Sequence, residues 1–459
     1  MLFISLDNLD LIDSLPYEVN GIELRLDLFP SIDLNKIQKA IDSSPLPLLL
    51  TLRKSSEGGN FQGSEKERMS LIEKLLPLKP HFFDIEYEMD PDFIINQIKN
   101  HPEVKFILSY HNFSKTPLDI EELYNKMLFY PAYSYKIATP SSSTNETLSY
   151  LLLSKKHPKL SIISMGEKGS FGRILSFTLE NKLSYTFHPS KEPSAPGQVS
   201  LEDLTKIYRY FNLNTKTALY GLIGDPITKS VGHIYHNDIF TRQNRNALYV
   251  KMTVSQDELK DFLSLAKQWK FQGLSVTMPL KEAILPYIDI LDPKVEQVGA
   301  INTLLFQENQ IFGTNTDGIG ALDALEKQSS TQGKKVVLIG AGGAARAIAF
   351  EAKKRGALLC IVNRTLARAK ALASELGCES ANLSNTPSTY DILINTSSHL
   401  DLPLKILPSA LVMDIVYAPK KTPFLEQALA LGCKVTYGEE MFTRQADEQA
   451  ALFKSQTFL

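Results

Sequence analysis

The strongest constraint on this chain is a rhythm in its first half. Eight short apolar runs, LFISL, GIELRLD, PLLLTLR, HFFDIEY, VKFILSY, SYKIA, LSIISMG and LSYTF, alternate with amphipathic stretches such as DLNKIQKAI, SEKERMSLIEKLL and TPLDIEELYNKML. Short apolar runs bounded by polar turns read as strands, and strand–helix alternation requires a parallel sheet. Eight such units match a (β/α)8 barrel, although a doubly wound sheet can hold the same number. The expectation is α/β throughout, with an N-terminal (β/α)8 barrel over residues 1–211.

Polar residues gather at the carboxyl ends of these runs, where a barrel places its active site. They are Glu23 and Arg25, Arg53 with Glu57 just beyond, Asp84 and Glu86, then His111 and Lys136. A single charge at a strand end is ordinarily a solvated loop residue. His, Lys, Arg and Glu from many strands at the same end converge on one mouth if the barrel closes. Lys136 stands out because the run around it holds no other charge. Strand alternation puts it on one face with Ser134 and Ala138, and lysine is rarely buried without a partner.

The pattern fades after YRYF, and the polar stretch NLNTKT (212–217) reads as a linker. A second α/β region follows, and within it KKVVLIGAGGAARAIAFEAKKRG joins a strand, a Gly-rich turn and a helix. The spacing Gly340-x-Gly342-x-x-Ala345 lets backbone approach a pyrophosphate at a helix N-terminus. Gly340, Ala341, Gly342, Gly343 and Ala344 are therefore expected at a dinucleotide. The next strand ends at Asn363-Arg364-Thr365, where an NAD-binding fold usually carries an acid for the ribose. A cation flanked by two hydrogen-bonding side chains suits a 2′-phosphate, so NADP is favoured.

Composition narrows the function classes. The 459 residues are too many for one ordinary domain, and 43% hydrophobic with 22% charged residues is enough for real cores. A formal net charge of -2 gives no electrostatic case for nucleic acid or an anionic membrane. Three cysteines, Cys360, Cys378 and Cys433, sit in no metal-ligand spacing and fit a reducing compartment. The opening MLFISLDNLDLIDSL has acids where a signal peptide needs bases, and no apolar run is long enough to span a bilayer. The expectation is a cytoplasmic protein acting on small molecules, without a metal, as a monomer or homodimer.

With these residues in order, the first half resembles type I 3-dehydroquinate dehydratase, through ELRLD, TLRKSSEGG, SYHNFSKTP, YKIA, MGEKG and SAPGQ. The second half resembles shikimate dehydrogenase, through GLIGDP, GLSVTMPLK, GAINTL, GTNTDG, GAGGAARA, DIVYAP and RQADEQ. Together they are similar to the fused enzyme of the shikimate pathway, which makes precursors of the aromatic amino acids.

The resemblance implies roles. Lys136 matches the Schiff-base lysine, His111 the general base, and Glu86 the carboxylate that orients the histidine. Arg173 matches the residue that holds the substrate carboxylate, with Ser194 and Gln198 in a closing loop. Glu23, Arg25 and Arg53 match polar residues lining the pocket, and Glu57 a carboxylate beside the loop. In the second half Lys281 and Asp317 match the catalytic pair. Ser230, Thr277, Asn302, Tyr417 and Gln445 match substrate positions, and Gly438 a cofactor contact. A substrate domain over 218–318 with a returning helix (438–459) and a Rossmann-like NADP domain over 319–437 are implied.

One departure is specific. Where the resembled dehydrogenases carry His-Ser-x-Ser-Pro, this chain reads Lys229-Ser230-Val231-Gly232-His233. One hydroxyl for the substrate carboxylate is missing, which leaves a quinate preference open beside shikimate. A metabolite sensor of the same architecture is the alternative of another class, and it could have dropped Lys136, His111, Lys281 or Asp317.

Overall fold

The computed structural model describes residues 1–15, 18–117, 119–180, 182–397, 402 and 404–455. Residues 456–459 of the expected returning helix lie outside the described residues. The chain divides into two compact units, one of Met1–Ala218 with Asn244–Met252 and one of Leu219–Gln243 with Thr253–Leu459.

The first unit carries all eight expected strands: β1 (Leu2–Leu6), β2 (Gly21–Arg25), β3 (Leu48–Thr51), β4 (Phe82–Glu86), β5 (Lys105–His111), β6 (Ser134–Pro140), β7 (Leu160–Met165) and β8 (Ser184–Phe187). They form one sheet in the order β7-β6-β5-β4-β3-β2-β1-β8, which is the order of a barrel opened between β7 and β8. Every pairing within it is parallel. Across the remaining gap Leu183 N donates to Ser161 Oγ at 2.9 Å.

Local chemistry starts the intervening helices where the sequence signals them. Ser64 and Glu67 form a reciprocal capping box on Glu65–Leu75, Asp33 caps Leu34–Ser43, and Asp90 caps Pro91–Asn100. Inside the sheet, side chains of period two fill two levels. Phe3, Leu49, Phe82, Ile107, Leu183 and Tyr185 belong to one buried apolar cluster. Full burial of each large apolar side chain contributes about 1.5–3 kcal/mol. Toward the carboxyl ends the inward positions turn polar: Ser5, Glu23, Thr51, Asp84, Ser109 and Lys136 are all buried.

The second unit holds two sheets. In one, the strands Ala218–Gly224, Phe271–Val276, Thr303–Gln307, Gln310–Thr314 and Ile290–Leu291 follow one another in that order. The other is wholly parallel and runs Glu379–Asn382, Leu358–Asn363, Lys335–Ile339, Ile392–Asn395, Leu411–Asp414, Lys434–Thr436. Strand order reverses between Lys335–Ile339 and Ile392–Asn395, and ligands of such sheets bind in the crevice at that switch point. The Gly-rich turn begins there, at Gly340. The final helix, Gly438–Ser455, returns to the first of these sheets: Gln449 is buried and bonds Ser275, the Asn302 carbonyl and Thr303.

Candidate active sites

In the barrel, Lys136 is an interior residue, 3% exposed. Its Nζ lies 2.5 Å from Asp84 Oδ2. Asp84 also accepts from Arg53 Nη2 at 2.7 Å and from Ser109 Oγ at 2.6 Å. Burial alone would raise the Asp84 carboxyl, but Arg53 and Lys136 override it and hold it well below the usual carboxylate range. For Lys136 burial is the largest influence; with the Arg53 guanidinium it outweighs Asp84 and pulls the amine below its ordinary value. Desolvation and a nearby cation both favour the neutral amine a nucleophile requires.

One cavity is lined by Lys136, His111, Arg173, Glu23, Arg25 and Arg53. Glu57, Ser194 and Gln198 lie at the same cavity, so the structure brings together the expected barrel residues apart from Glu86. Burial, reinforced by Arg53 and Lys136, pushes His111 well below its ordinary value and keeps the imidazole neutral. Arg173 is buried, with burial lowering it to about 10. Among the described residues its Nε has no hydrogen-bond partner, and Nη2 donates only to the Pro196 carbonyl at 3.3 Å. A buried guanidinium so weakly met has the chemistry to pair with an anion.

The expectation that Glu86 orients His111 is corrected. Glu86 Oε1 accepts from Arg53 Nη1 and Lys54 N at 3.1 Å each, and Oε2 pairs with Arg68 Nη1 at 2.7 Å. Both oxygens are committed to arginines. Glu57, from the turn after β3, takes the histidine instead. Its Oε2 lies 3.0 Å from His111 Nδ1 and accepts the His111 backbone N–H at 3.2 Å.

The other polar residues are fixed locally. Glu23 accepts from Ser5 Oγ and from Thr51 Oγ1. Arg25 makes a two-pronged pair with Asp27. Gln198 Oε1 accepts from Ser194 N at 2.8 Å and Ala195 N at 3.3 Å, which folds the SAPGQ loop on itself. Gly197, at φ +75°, lets that loop press on Gly166, where a Cβ would stand 2.3 Å from the Gly166 carbonyl oxygen.

In the second unit, Lys281 Nζ meets Asp317 Oδ2 at 2.5 Å. Asn302 Nδ2 donates to Asp317 Oδ1 and to Thr316 Oγ1 at 2.9 Å each, and reaches Gln445 Oε1 at 3.4 Å. Lys281, Asp317, Asn302 and Gln445 therefore form one hydrogen-bonded group. Thr316, unmarked in the sequence reading, ties it to the last helix by donating to the Gln445 carbonyl at 3.0 Å. Ser230 Oγ accepts from Gly232 N at 3.3 Å, just ahead of the helix Gly232–Arg242. Thr277 N donates to Ile223 O, placing Thr277 at the end of its strand. Tyr417 packs on Phe442, ring centroids 5.1 Å apart and tilted by 39°, rather than joining the Lys281 group.

The Gly-rich turn fits a dinucleotide. Gly340 sits at φ +119°, with Thr396 Oγ1 2.3 Å from where a Cβ would stand, so the turn closes against the neighbouring strand. At Gly342 a Cβ would meet nothing within 4 Å, which leaves open space over the helix start. The helix Gly343–Lys354 has no side-chain cap on its N-terminal amides. Ala341 and Ala344 are half-buried within this turn. Asn363 Nδ2 bonds the Thr365 carbonyl, leaving Arg364 exposed at the next strand's end. Gly438 starts the last helix, pressed against the carbonyls of Ile415 and Val416. Among the described residues no cluster of His, Cys, Asp and Glu suits a metal, and no helix is long and apolar enough to cross a membrane.

Comparison with known proteins matches residues 5–215 to the type I 3-dehydroquinase family. Residues 222–304 match the shikimate dehydrogenase substrate binding domain, and 323–425 the shikimate / quinate 5-dehydrogenase family. The chain is 37% identical over 440 residues to the shikimate biosynthesis protein AroDE of Chlamydia pneumoniae, covering 95% of this chain and 90% of that one. The chain belongs to the bifunctional 3-dehydroquinate dehydratase/shikimate dehydrogenases. The chloroplastic bifunctional 3-dehydroquinate dehydratase/shikimate dehydrogenase of Arabidopsis thaliana is 33% identical over 486 residues, 98% of this chain and 80% of that one. Among solved structures, a shikimate dehydrogenase in complex with NADP+ matches 53% of this chain and 91% of its own at 33% identity, TM-score 0.51. The shikimate dehydrogenase of Aquifex aeolicus matches 53% and 94% at 31% identity, also with a TM-score of 0.51. As a bifunctional dehydratase/dehydrogenase, the chain joins two enzymes of the shikimate pathway in one polypeptide.

Proposed function

We propose that the barrel dehydrates 3-dehydroquinate through an imine on Lys136 and that the second unit reduces the product, 3-dehydroshikimate, to shikimate with NADPH. The observation that carries the first half is the buried Lys136, its amine pulled below its ordinary value by burial, sharing one cavity with a neutral His111 and the weakly met Arg173.

Arg173 takes the substrate carboxylate and sets the ring over Lys136. The Nζ lone pair adds to the ketone carbon, and the carbinolamine loses water to give an iminium, whose positive charge stays beside Asp84. His111, neutral and held at Nδ1 by Glu57, removes the proton next to the iminium. The C–H electron pair forms a ring C=C bond to the iminium carbon, the C=N pair returns to nitrogen, and an enamine results. The enamine then expels the β-hydroxyl as water, with the proton returned from His111. Hydrolysis of the remaining iminium frees the amine and the enone.

In the second unit, Lys281 and Asp317 hold the proton that the reduced carbonyl oxygen takes up, and Asn302 orients Asp317. Ser230, Thr277 and Gln445 are assigned to the substrate carboxylate and ring hydroxyls, with Tyr417 walling the cleft through Phe442. Bound NADPH supplies the hydride. Gly340, Gly342 and Gly343 with Ala341 and Ala344 would hold its pyrophosphate at the helix start. Asn363, Arg364 and Thr365 would hold its 2′-phosphate, with Gly438 beside the cofactor. We assign 1–211, 218–318 and 319–437 as the three functional segments. The free thiols Cys360, Cys378 and Cys433 suit a reducing, cytoplasmic setting.

Borohydride added during turnover of 3-dehydroquinate tests the imine. The expected result is a mass adduct on the peptide that contains Lys136; an adduct elsewhere, or none, contradicts the assignment.

A further inference from the structure

The barrel holds one group that this chemistry leaves idle. Tyr185 lies on β8, registered opposite Phe3 of β1, and its side chain points into the barrel. The residue is 6% exposed and lines the same cavity as Lys136. Lys136 Nζ stands over the face of its ring, 4.6 Å from the centroid, while Asp84 Oδ2 holds the same nitrogen at 2.5 Å. The ring is itself fixed by stacking on Phe3 at 5.8 Å with an interplanar angle of 24°. The Tyr185 hydroxyl is buried and has no hydrogen-bond partner among the described residues.

Native proteins leave few buried polar atoms unpaired, and phenylalanine would fill this position without an orphaned hydroxyl. Glu23, at the same cavity, accepts from Ser5 Oγ and Thr51 Oγ1 and not from Tyr185. Burial, with Glu23 and Asp84 nearby, pushes the phenol well above its ordinary value, so the hydroxyl stays protonated and is a donor. A ring face beside an amine favours the cationic form of that nitrogen. Here that form includes the iminium.

We infer that Tyr185 is a positioning residue of the dehydratase, its ring seating Lys136 and its hydroxyl donating to an oxygen of the hydroxylated ring substrate. This rests on the Lys136 imine reading. The substrate it suits is a small ring ketone that carries several hydroxyls and a carboxylate. The carboxylate goes to Arg173, the ketone to Lys136, and one further oxygen to Tyr185.

The test compares Tyr185→Phe and Tyr185→Leu in the full chain, each assayed for dehydration of 3-dehydroquinate and for borohydride trapping. Tyr185→Phe keeps ring and volume, so KM is expected to rise about tenfold with kcat changed less than about threefold. Tyr185→Leu removes the ring as well, and the rate of adduct trapping at saturating substrate is expected to fall about tenfold. NADPH-dependent reduction by the second unit, measured in the same samples, controls for gross loss of protein.

A Phe variant with the KM and kcat of the unmodified chain overturns the hydroxyl's role. A Leu variant that traps as fast as the unmodified chain overturns the ring's role. If the Leu variant does not fold, the Phe variant decides alone. Absence of adduct in the unmodified chain overturns the Lys136 reading itself. Adduct there, with an unchanged Phe variant, overturns only the inference about Tyr185.

Discussion

Glu57 Oε2 grips His111 twice, at Nδ1 (3.0 Å) and at the backbone N–H (3.2 Å), so ring and main chain are positioned by one carboxylate. Burial, with the nearby Glu86 carboxylate, raises Glu57 to about 7. The ionised form accepts both N–H groups more strongly, because its charge assists each bond. Arg53 and Lys54 face the same carboxylate and favour that form. Dehydratase kcat/KM is therefore expected to rise with pH through about 7 and level off above it. Glu57→Gln should abolish that inflection and lower kcat about 10²-fold, within the range for disrupted acid–base catalysis. A pH profile in the variant that keeps the inflection would show that another group titrates there.

Arg173 is a buried cation whose one hydrogen bond among the described residues goes to the Pro196 carbonyl. Arg173→Gln should raise KM for 3-dehydroquinate about tenfold to a hundredfold, the equivalent of about 1.5–3 kcal/mol for a charge-assisted hydrogen bond. The unmodified protein also carries the desolvation of that cation, so the variant should melt no lower than its parent. Steady-state kinetics with a thermal melt read both effects, and a fall in Tm with KM unchanged would place Arg173 in the scaffold.

Lys281 and Asp317 form a pair inside a hydrogen-bonded group with Asn302, so removing the amine leaves the rest of the pocket in place. Lys281→Ala should lower kcat for 3-dehydroshikimate reduction about 10²–10⁴-fold while NADPH binding stays within about twofold. Fluorescence titration of NADPH separates the two. The barrel's dehydration rate should be unchanged in this variant.

Arg364 is exposed at the strand end beyond the Gly-rich turn. Arg364→Ala should raise KM for NADPH about tenfold and leave KM for NADH unchanged, since only the 2′-phosphate distinguishes the two cofactors. Equal losses with both would mean that Arg364 serves the fold and not the phosphate.

Much of this was legible in the sequence, for physical reasons. Each barrel strand is a short apolar run, and every one of the eight formed where its run lies. Lys136 stands out because its strand has no other charge, but edge and interior stay open on that ground alone, and the resemblance is what places it inside. The Gly-rich turn could be read because tight backbone approach demands glycine, as Gly340 shows. Glu86 was misread for an equally physical reason. It ends β4, and β4 pairs with the strand carrying His111, Glu86 lying opposite Ser109. Strand adjacency alone favours it. The competitor is Arg68, from the helix Glu65–Leu75, which comes in from outside the sheet and claims the carboxylate. Strand periodicity carries no information about that helix side chain. Asp84 was visible as a strand-end acid, but its pairing with Lys136 depends on three strands meeting. Tyr185 was invisible as a functional candidate, because an inward aromatic in LSYTF reads as ordinary core.

Two consecutive steps at two sites of one chain make a prediction that a single assay reads. The most direct measurement gives purified protein 3-dehydroquinate, first alone and then with NADPH, and follows enone absorbance and NADPH together. The expected result is an enone signal that rises without cofactor and then falls as NADPH is consumed, with Lys136→Ala losing the rise but still reducing added 3-dehydroshikimate. NADPH consumption on 3-dehydroquinate without any enone step, or loss of both activities in Lys136→Ala, would contradict it.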